Sequence, residues 1–221
     1  MAAELARLTR ECPVAVISGR DRKDVETKVA LPQLIYAGSH GLDMAGPGGL
    51  DIPEKVSTHI LDSLKQAADN LQNKLKDVKG CLVESKKFAI AVHFRNVADE
   101  EVSKVTDAVE KELKNHGHLK KGTGKKIIEL KPAIDWHKGW AVNWLFDALE
   151  LSVDNGISIF IGDDITDEDA FASIYGSGIG ILVGTHGEQT AASYALNDTD
   201  EVRKFLELFY QNVQNKKHGQ K

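Results

Sequence analysis

Residues 157–171 read ISIFIGDDITDEDAF, an apolar run ending in glycine, then two aspartates, then further acids at 167, 168 and 169. The apolar half has the length of a strand and no polar alternation, the pattern of a strand covered on both faces. The acidic half divides by position. Asp163 and Asp164 close the strand, whereas Thr166, Asp167, Glu168 and Asp169 open the next helix, where capping and the helix dipole favour acids. Two adjacent carboxylates at a strand end repel unless a cation sits there, and Mg²⁺, a hard cation held by a few carboxylates and phosphate oxygens, suits that donor set. The residues after Gly162 lack the mid-loop glycine of a calcium loop, which argues against an EF-hand.

Working outward, three other short apolar runs end in small or polar residues and lead into helical patterns: VAVIS (14–18), QLIYAGSHG (33–41) and GIGILVG (178–184). Strands alternating with helices predict an α/β fold with a doubly wound parallel sheet. The texture changes between the second and third strand signals. AGPGGLDIP (45–53) reads as a Gly/Pro-rich linker, and a helix is predicted over 54–76 with Val56, Ile60, Leu64, Ala67, Leu71 and Leu75 on one stripe. Two strands follow, CLVE and FAIAVHFR, then a helix carrying Val102, Val105, Val109 and Leu113, then a third strand, KIIELK. Period-two alternation aligns His93 with Arg95, and Glu129 with Lys131, on one side of their strands. The expected organisation is a discontinuous core of residues 1–44 and 132–221 with an inserted α/β cap of residues 45–131, whose polar sheet face suits a lid.

The 221 residues, 42% hydrophobic and 28% charged, are enough for one ordinary core and a smaller second one. A net charge of -5 argues against a general nucleic-acid surface. Cys12 and Cys81 fit neither a disulfide framework nor a zinc spacing, no run is long enough to span a bilayer, and the N-terminal residues hold no apolar signal core. A cytoplasmic protein with a small-molecule ligand is expected. The polar tail NVQNKKHGQK reads as a frayed end.

Ligands of open parallel sheets bind outside the carboxyl ends of the strands. Ser18, followed by Gly19, stands where a hydroxyl and a backbone N–H can meet a phosphate oxygen; it equally suits the cap of a helix starting near Arg20, with Asp21 completing a capping box. Lys138 stands at the start of an amphipathic helix with Ala141, Trp144, Leu145 and Ala148. A cation there costs about 0.3–1 kcal/mol unless an anion is near. A bound phosphate removes that conflict, and a solvated surface lysine is the plainer alternative.

The order strand-Ser-Gly-Arg, lid insertion, Lys at a helix start, strand-Gly-Asp-Asp resembles the haloacid-dehalogenase superfamily and, within it, the trehalose-6-phosphate phosphatases. The matching stretches are VISGRD (16–21), YAGSHGLD (36–43), AVHFRN (91–96), ELKPAIDWHKGWAV (129–142) and IGDDITDEDAF (161–171), spread from about Pro13 to about Phe209. The resemblance implies a doubly wound haloacid-dehalogenase-like core with an inserted α/β cap, and Mg²⁺-dependent hydrolysis of trehalose 6-phosphate. By the same resemblance Ser18 binds phosphate, Lys138 neutralises it, Asp163 is a direct Mg²⁺ ligand, and Asp164 and Asp167 order the metal shell. Gly19, Arg20, His40, Gly41, His93, Arg95, Glu129 and Lys131 bind the substrate, and a trehalose-6-phosphate synthase is a candidate partner. One departure stands out. The family's nucleophile belongs to an Asp-x-Asp-Gly-Thr motif on the central strand, and these 221 residues contain none; MAAELARLTRECP resembles the helix that follows that strand. The expectation is therefore a truncated, inactive chain with a slot of roughly two strand spacings between VAVIS and ISIFIG. A sugar-phosphate-binding regulatory subunit and a phosphatase for another sugar phosphate are the rival readings.

Overall fold

The computed structural model describes residues 1–51, 56–151 and 156–219. In chain order its helices and strands are α1 (Ala2–Leu8), β1 (Ala15–Ile17), α2 (Arg22–Val29), β2 (Ile35–Gly38), β3 (Asp43–Ala45), α3 (Thr58–Leu75), β4 (Leu82–Ser85), β5 (Ile90–His93), α4 (Val102–Asn115), β6 (Leu119–Gly124), β7 (Ile127–Pro132), α5 (Lys138–Ala148), β8 (Ser158–Gly162), α6 (Glu168–Ser173), β9 (Gly178–Val183), β10 (Tyr194–Leu196) and α7 (Thr199–Gly219). The chain divides into two compact units, Met1–Ile52 with Trp136–Lys221, and Pro53–Asp135. The second unit starts later than residue 45 because Asp43–Ala45 pairs with β2 and Ala45 bridges Asp51, so most of the expected linker is ordered core structure. It ends later than residue 131 because β7 runs to Pro132 and the Ala133 N–H bonds to the His118 carbonyl.

The first unit contains two three-stranded sheets. In one, β1 is parallel to β2 and β3 antiparallel to it; in the other, β8, β9 and β10 are all parallel. Val14, just before β1, and Ile17 within it pack to opposite sides, as do Phe160 and Ile161 of β8, as strand geometry requires. Val14 and Ile161 meet Leu8 of α1 and Val202 and Leu206 of α7, while Ile17 and Phe160 meet Val142 of α5 and Ala170 of α6. The two strands thus lie in one layer between the same helices, yet they are not paired with each other. Among the described residues the second edge of each has no partner. The consequence is visible in burial. β2 is buried along its length, whereas every residue of β8 is only half-buried and Ala15 of β1 is exposed, contrary to the full burial that their apolar composition led us to expect.

The second unit is one antiparallel sheet in the order β4-β5-β7-β6. Its apolar face, including Ile90, Val92, Ile128 and Leu130, packs on Leu64, Ala67 and Leu71 of α3 and Val105 and Val109 of α4. On the opposite face Glu84, Ala91, Glu129 and Gly122 stand side by side across the four strands.

Several expectations change. β6 was not foreseen because LKKGTG lacks the apolar alternation of a strand; it exists because it pairs with all of β7. The helix predicted from Glu54 is described from Thr58, and Glu54 lies outside the described residues. Helix α7 continues to Gly219, so the tail described as far as that residue is helical rather than frayed. Asp21, not Ser18, occupies the N-cap position of α2, and its side chain makes no capping bond.

The half-solvated β1 and β8 should open more readily than the second unit. We expect the amides of Ile159 and Ile161 to exchange with deuterium at least about tenfold faster than those of Val92 and Ile128, the order of magnitude of a 1.4 kcal/mol difference in opening. Equal protection, read by mass spectrometry or NMR, contradicts a weakened central layer.

Candidate functional site

The site is organised by the carboxylate of Asp167, which is buried beneath the carboxyl end of β8. Its Oδ1 accepts a hydrogen bond from Lys138 Nζ at 2.7 Å, and its Oδ2 accepts from the backbone N–H groups of Asp163 at 3.1 Å and Asp164 at 3.0 Å. Gly162 makes room for this, since a Cβ there would lie 2.4 Å from Asp167 Cγ. Lys138 is the first residue of α5 and is itself buried, which rules out the solvated-surface alternative. The anion that offsets a cation at that helix start is Asp167. An ammonium has three donors and one is spent on Asp167, so donors remain for a bound anion.

Asp163 and Asp164 are both exposed above this pair. Asp164 caps the 3-10 turn Ile165–Asp167: its Oδ1 accepts from the Thr166 N–H at 2.8 Å, in a reciprocal capping box with Asp167. That backbone hydrogen bond, with lesser help from Lys138 and His40, outweighs partial burial and holds the Asp164 carboxyl below its ordinary range. No hydrogen bond from a described residue engages the Asp163 carboxylate.

At the carboxyl end of β1, Ser18 Oγ accepts from the Arg20 N–H at 3.2 Å, and the Arg20 guanidinium reaches Asp24 rather than the strand ends. The loop after β2 joins this end: the His40 N–H donates to the Ser18 carbonyl at 2.8 Å and the Ser39 N–H to the Arg20 carbonyl at 2.7 Å. Ser39, His40 and Gly41 have φ of 50°, 58° and 97°, three consecutive left-handed residues. The two non-glycines cost on the order of 1–3 kcal/mol each, a strain typical of functional loops. The turn lays the His40 ring over Gly19, where a Cβ would come within 2.9 Å of it. Ser18, Gly19, His40, Gly41, Lys138, Asp163, Asp164 and Asp167 are therefore brought to one end of the first unit.

The remaining candidates belong to the second unit. His93 Nε2 lies 3.1 Å from Glu84 Oε2 on the neighbouring strand, and Lys131 Nζ lies 2.7 Å from Glu129 Oε2. Arg95 is exposed beyond the end of β5, so the alternation that aligned it with His93 stops two residues earlier. Glu84 was missed as a partner of this face; its register opposite Ala91 could not be known before the pairing was.

A trehalose-phosphatase family model matches residues 1–201. The chain belongs to that family. The trehalose-phosphate phosphatase of Mycobacterium marinum is 39% identical over 208 residues, 92% of this chain and 53% of that protein. An uncharacterized glycosyl hydrolase of Mycobacterium tuberculosis is 42% identical over 93% of this chain, which spans 16% of it. The chain thus spans about half, or less, of the length of these curated relatives. Among solved structures, a trehalose-6-phosphate phosphatase related protein has a TM-score of 0.78 at 21% identity, with 97% of this chain and 88% of that one covered. The family's haloacid-dehalogenase-like α/β core is thereby the fold of this chain.

Two predictions follow from the buried pair and its cap. Removing Asp167 strands a buried ammonium and two backbone N–H groups, so Asp167→Ala should cost about 3–5 kcal/mol in urea unfolding, and Lys138→Met clearly less, because Asp167 keeps its backbone donors. Equal costs contradict the asymmetry. Because the Asp164 pKa is depressed in the folded state, its contribution is complete above the unfolded value and is lost as pH falls through the folded one. The acid limb of the stability profile should flatten in Asp164→Asn, and an unchanged limb counts against the cap.

Proposed function

We propose that this chain carries the phosphate-binding and cation-binding residues of a Mg²⁺-dependent phosphatase that hydrolyses trehalose 6-phosphate to trehalose and phosphate. The observation that carries the reading is the buried Lys138–Asp167 pair beneath the exposed Asp163 carboxylate, in the same layer as Ser18. The donor set fits Mg²⁺: hard oxygens only, one carboxylate without a hydrogen bond from any described residue, and a second with one oxygen engaged by Thr166. Mg²⁺ is typically held by one or two carboxylates with water and substrate oxygens completing its shell, and among the described residues no larger ligand cluster forms. When bound, the ion neutralises developing charge on the phosphoryl oxygens.

Asp163 would hold the cation directly, and Asp164 and Asp167 would keep it in place, Asp167 by fixing the backbone beneath. Lys138 would direct its remaining donors at phosphate oxygens, and the Ser18 hydroxyl, Gly19 and Arg20 would bind the same group. Recognition of the sugar is assigned to His40 and Gly41 and to the polar sheet face carrying His93, Glu129 and Lys131, with Arg95 beside it; hydroxyl-rich ligands suit such paired donors and acceptors. A cytoplasmic location belongs to the same reading: Cys12 and Cys81 are free thiols, and no helix among the described residues is long and apolar enough to cross a membrane. A trehalose-6-phosphate synthase as partner is proposed because such an enzyme makes the substrate.

Calorimetric titration of Mg²⁺ should give a dissociation constant on the order of millimolar or weaker, as expected for one or two carboxylates, with no heat in Asp163→Asn. Tight binding that survives Asp163→Asn places the cation elsewhere. With inorganic phosphate as the control, Glu129→Ala and Arg95→Ala should weaken trehalose 6-phosphate selectively; equal losses on both ligands defeat the assignment of the sugar face.

A further inference from the structure

The loop between β9 and β10 starts at the strand end next to the candidate site. Gly162 and Leu182 are register partners, so Asp163 and Val183 stand side by side where their chains leave the sheet. The loop is polar, GTHGEQTAAS (184–193), and one side chain from outside it accepts from three of its residues. Glu168, the first residue of α6, accepts at Oε1 from the Thr190 hydroxyl at 2.7 Å and from His186 Nε2 at 2.9 Å, and at Oε2 from the Ala191 N–H at 2.7 Å. These bonds, led against the effect of partial burial by that of the Ala191 N–H, hold the Glu168 carboxyl below its ordinary range. His186 is in turn oriented by the loop: its Nδ1 accepts from the Glu188 N–H at 3.2 Å, which leaves the proton on Nε2, aimed at Glu168. His186 is largely buried, with 9% of its side chain exposed.

We infer that Glu168 is a positioning residue: its carboxylate holds loop 184–192 against the strand end that carries Asp163 and Asp164, and so sets the rim of the cation site. The inference rests on the proposed function for the identity of that site. Asp163 and Asp164 follow the strand end, Asp167 fixes the turn beneath them and Glu168 comes next, so one short segment both offers carboxylates and grips the adjoining loop. Among the described residues, none of the three loop donors bonds to a second carboxylate that could replace Glu168. A released loop would leave the ligand residues unchanged and their surroundings loose.

The test uses the full chain with Glu168→Ala and Glu168→Gln, the latter keeping one accepting oxygen. Deuterium exchange of the amides of Glu188 and Ala191 should accelerate at least about tenfold in Glu168→Ala and less in Glu168→Gln, while the amides of α3, β5 and β7 keep their protection. A general loss of structure would move both groups together. The Mg²⁺ dissociation constant should rise several-fold in Glu168→Ala, although no proposed ligand has been removed. Unchanged loop exchange overturns the inference, and so does a freed loop with unaltered Mg²⁺ affinity. If the wild-type chain takes up no Mg²⁺, the functional reading fails separately, and the exchange of Glu188 and Ala191 decides the clamp.

Discussion

A single buried carboxylate holds the candidate site together. Asp167 is bound on one oxygen by the ammonium of Lys138 and on the other by two successive backbone N–H groups. It therefore joins the start of α5, the end of β8 and the 3-10 turn between β8 and α6. A buried charge is tolerated when it is paired and hydrogen-bonded. The same requirement dictates Gly162, whose missing side chain leaves the space that the carboxylate occupies, and it places Asp163 in solvent with its oxygens available. The acids of this segment thus stand differently despite their similar chemistry, one turned inward on structure and one left exposed.

Much of this was legible in the residues. The apolar runs located β1, β2, β8 and β9 to within about three residues, because the strands of a layer between helices carry few polar positions. The division of 163–169 into a strand end and a helix start also matches the structure. What could not be read was the destination of individual side chains. Lys138 had two readings, solvated or anion-bound, and nothing local chose between them; its partner lies 29 residues away. Ser18 had two as well, and the helix start at Arg22 settled against the cap. The strand β6 was illegible for a different reason: its residues are mostly exposed lysine, glycine and threonine, and it is a strand because β7 supplies a full ladder. Arg95 shows the limit of alternation, which holds only while the strand continues.

The second unit shows how polar and apolar constraints divide a small sheet. Its apolar face is closed by two helices and is almost completely excluded from water. The opposite face carries polar residues already joined in pairs, His93 with Glu84 and Lys131 with Glu129. Exposed pairs of this kind contribute little to stability, typically about 0–1 kcal/mol, so they can be exchanged for contacts with a hydroxyl-rich ligand at small cost. The first unit is organised differently, with its polar groups concentrated at strand ends and its central layer split between two sheets.

The left-handed turn Ser39-His40-Gly41 bears on any attempt to make this protein sturdier. Glycine adopts positive φ without the side-chain penalty, so Ser39→Gly and His40→Gly each relieve a strain on the order of 1 kcal/mol or more. A selection for heat resistance alone would favour both. His40→Gly, however, deletes the ring that lies over Gly19, and Ser39→Gly removes the hydroxyl that reaches Asp21. Selection for thermostability and selection for ligand binding would therefore pull this tripeptide in opposite directions, and a variant library scored on both would separate them at positions 39 and 40.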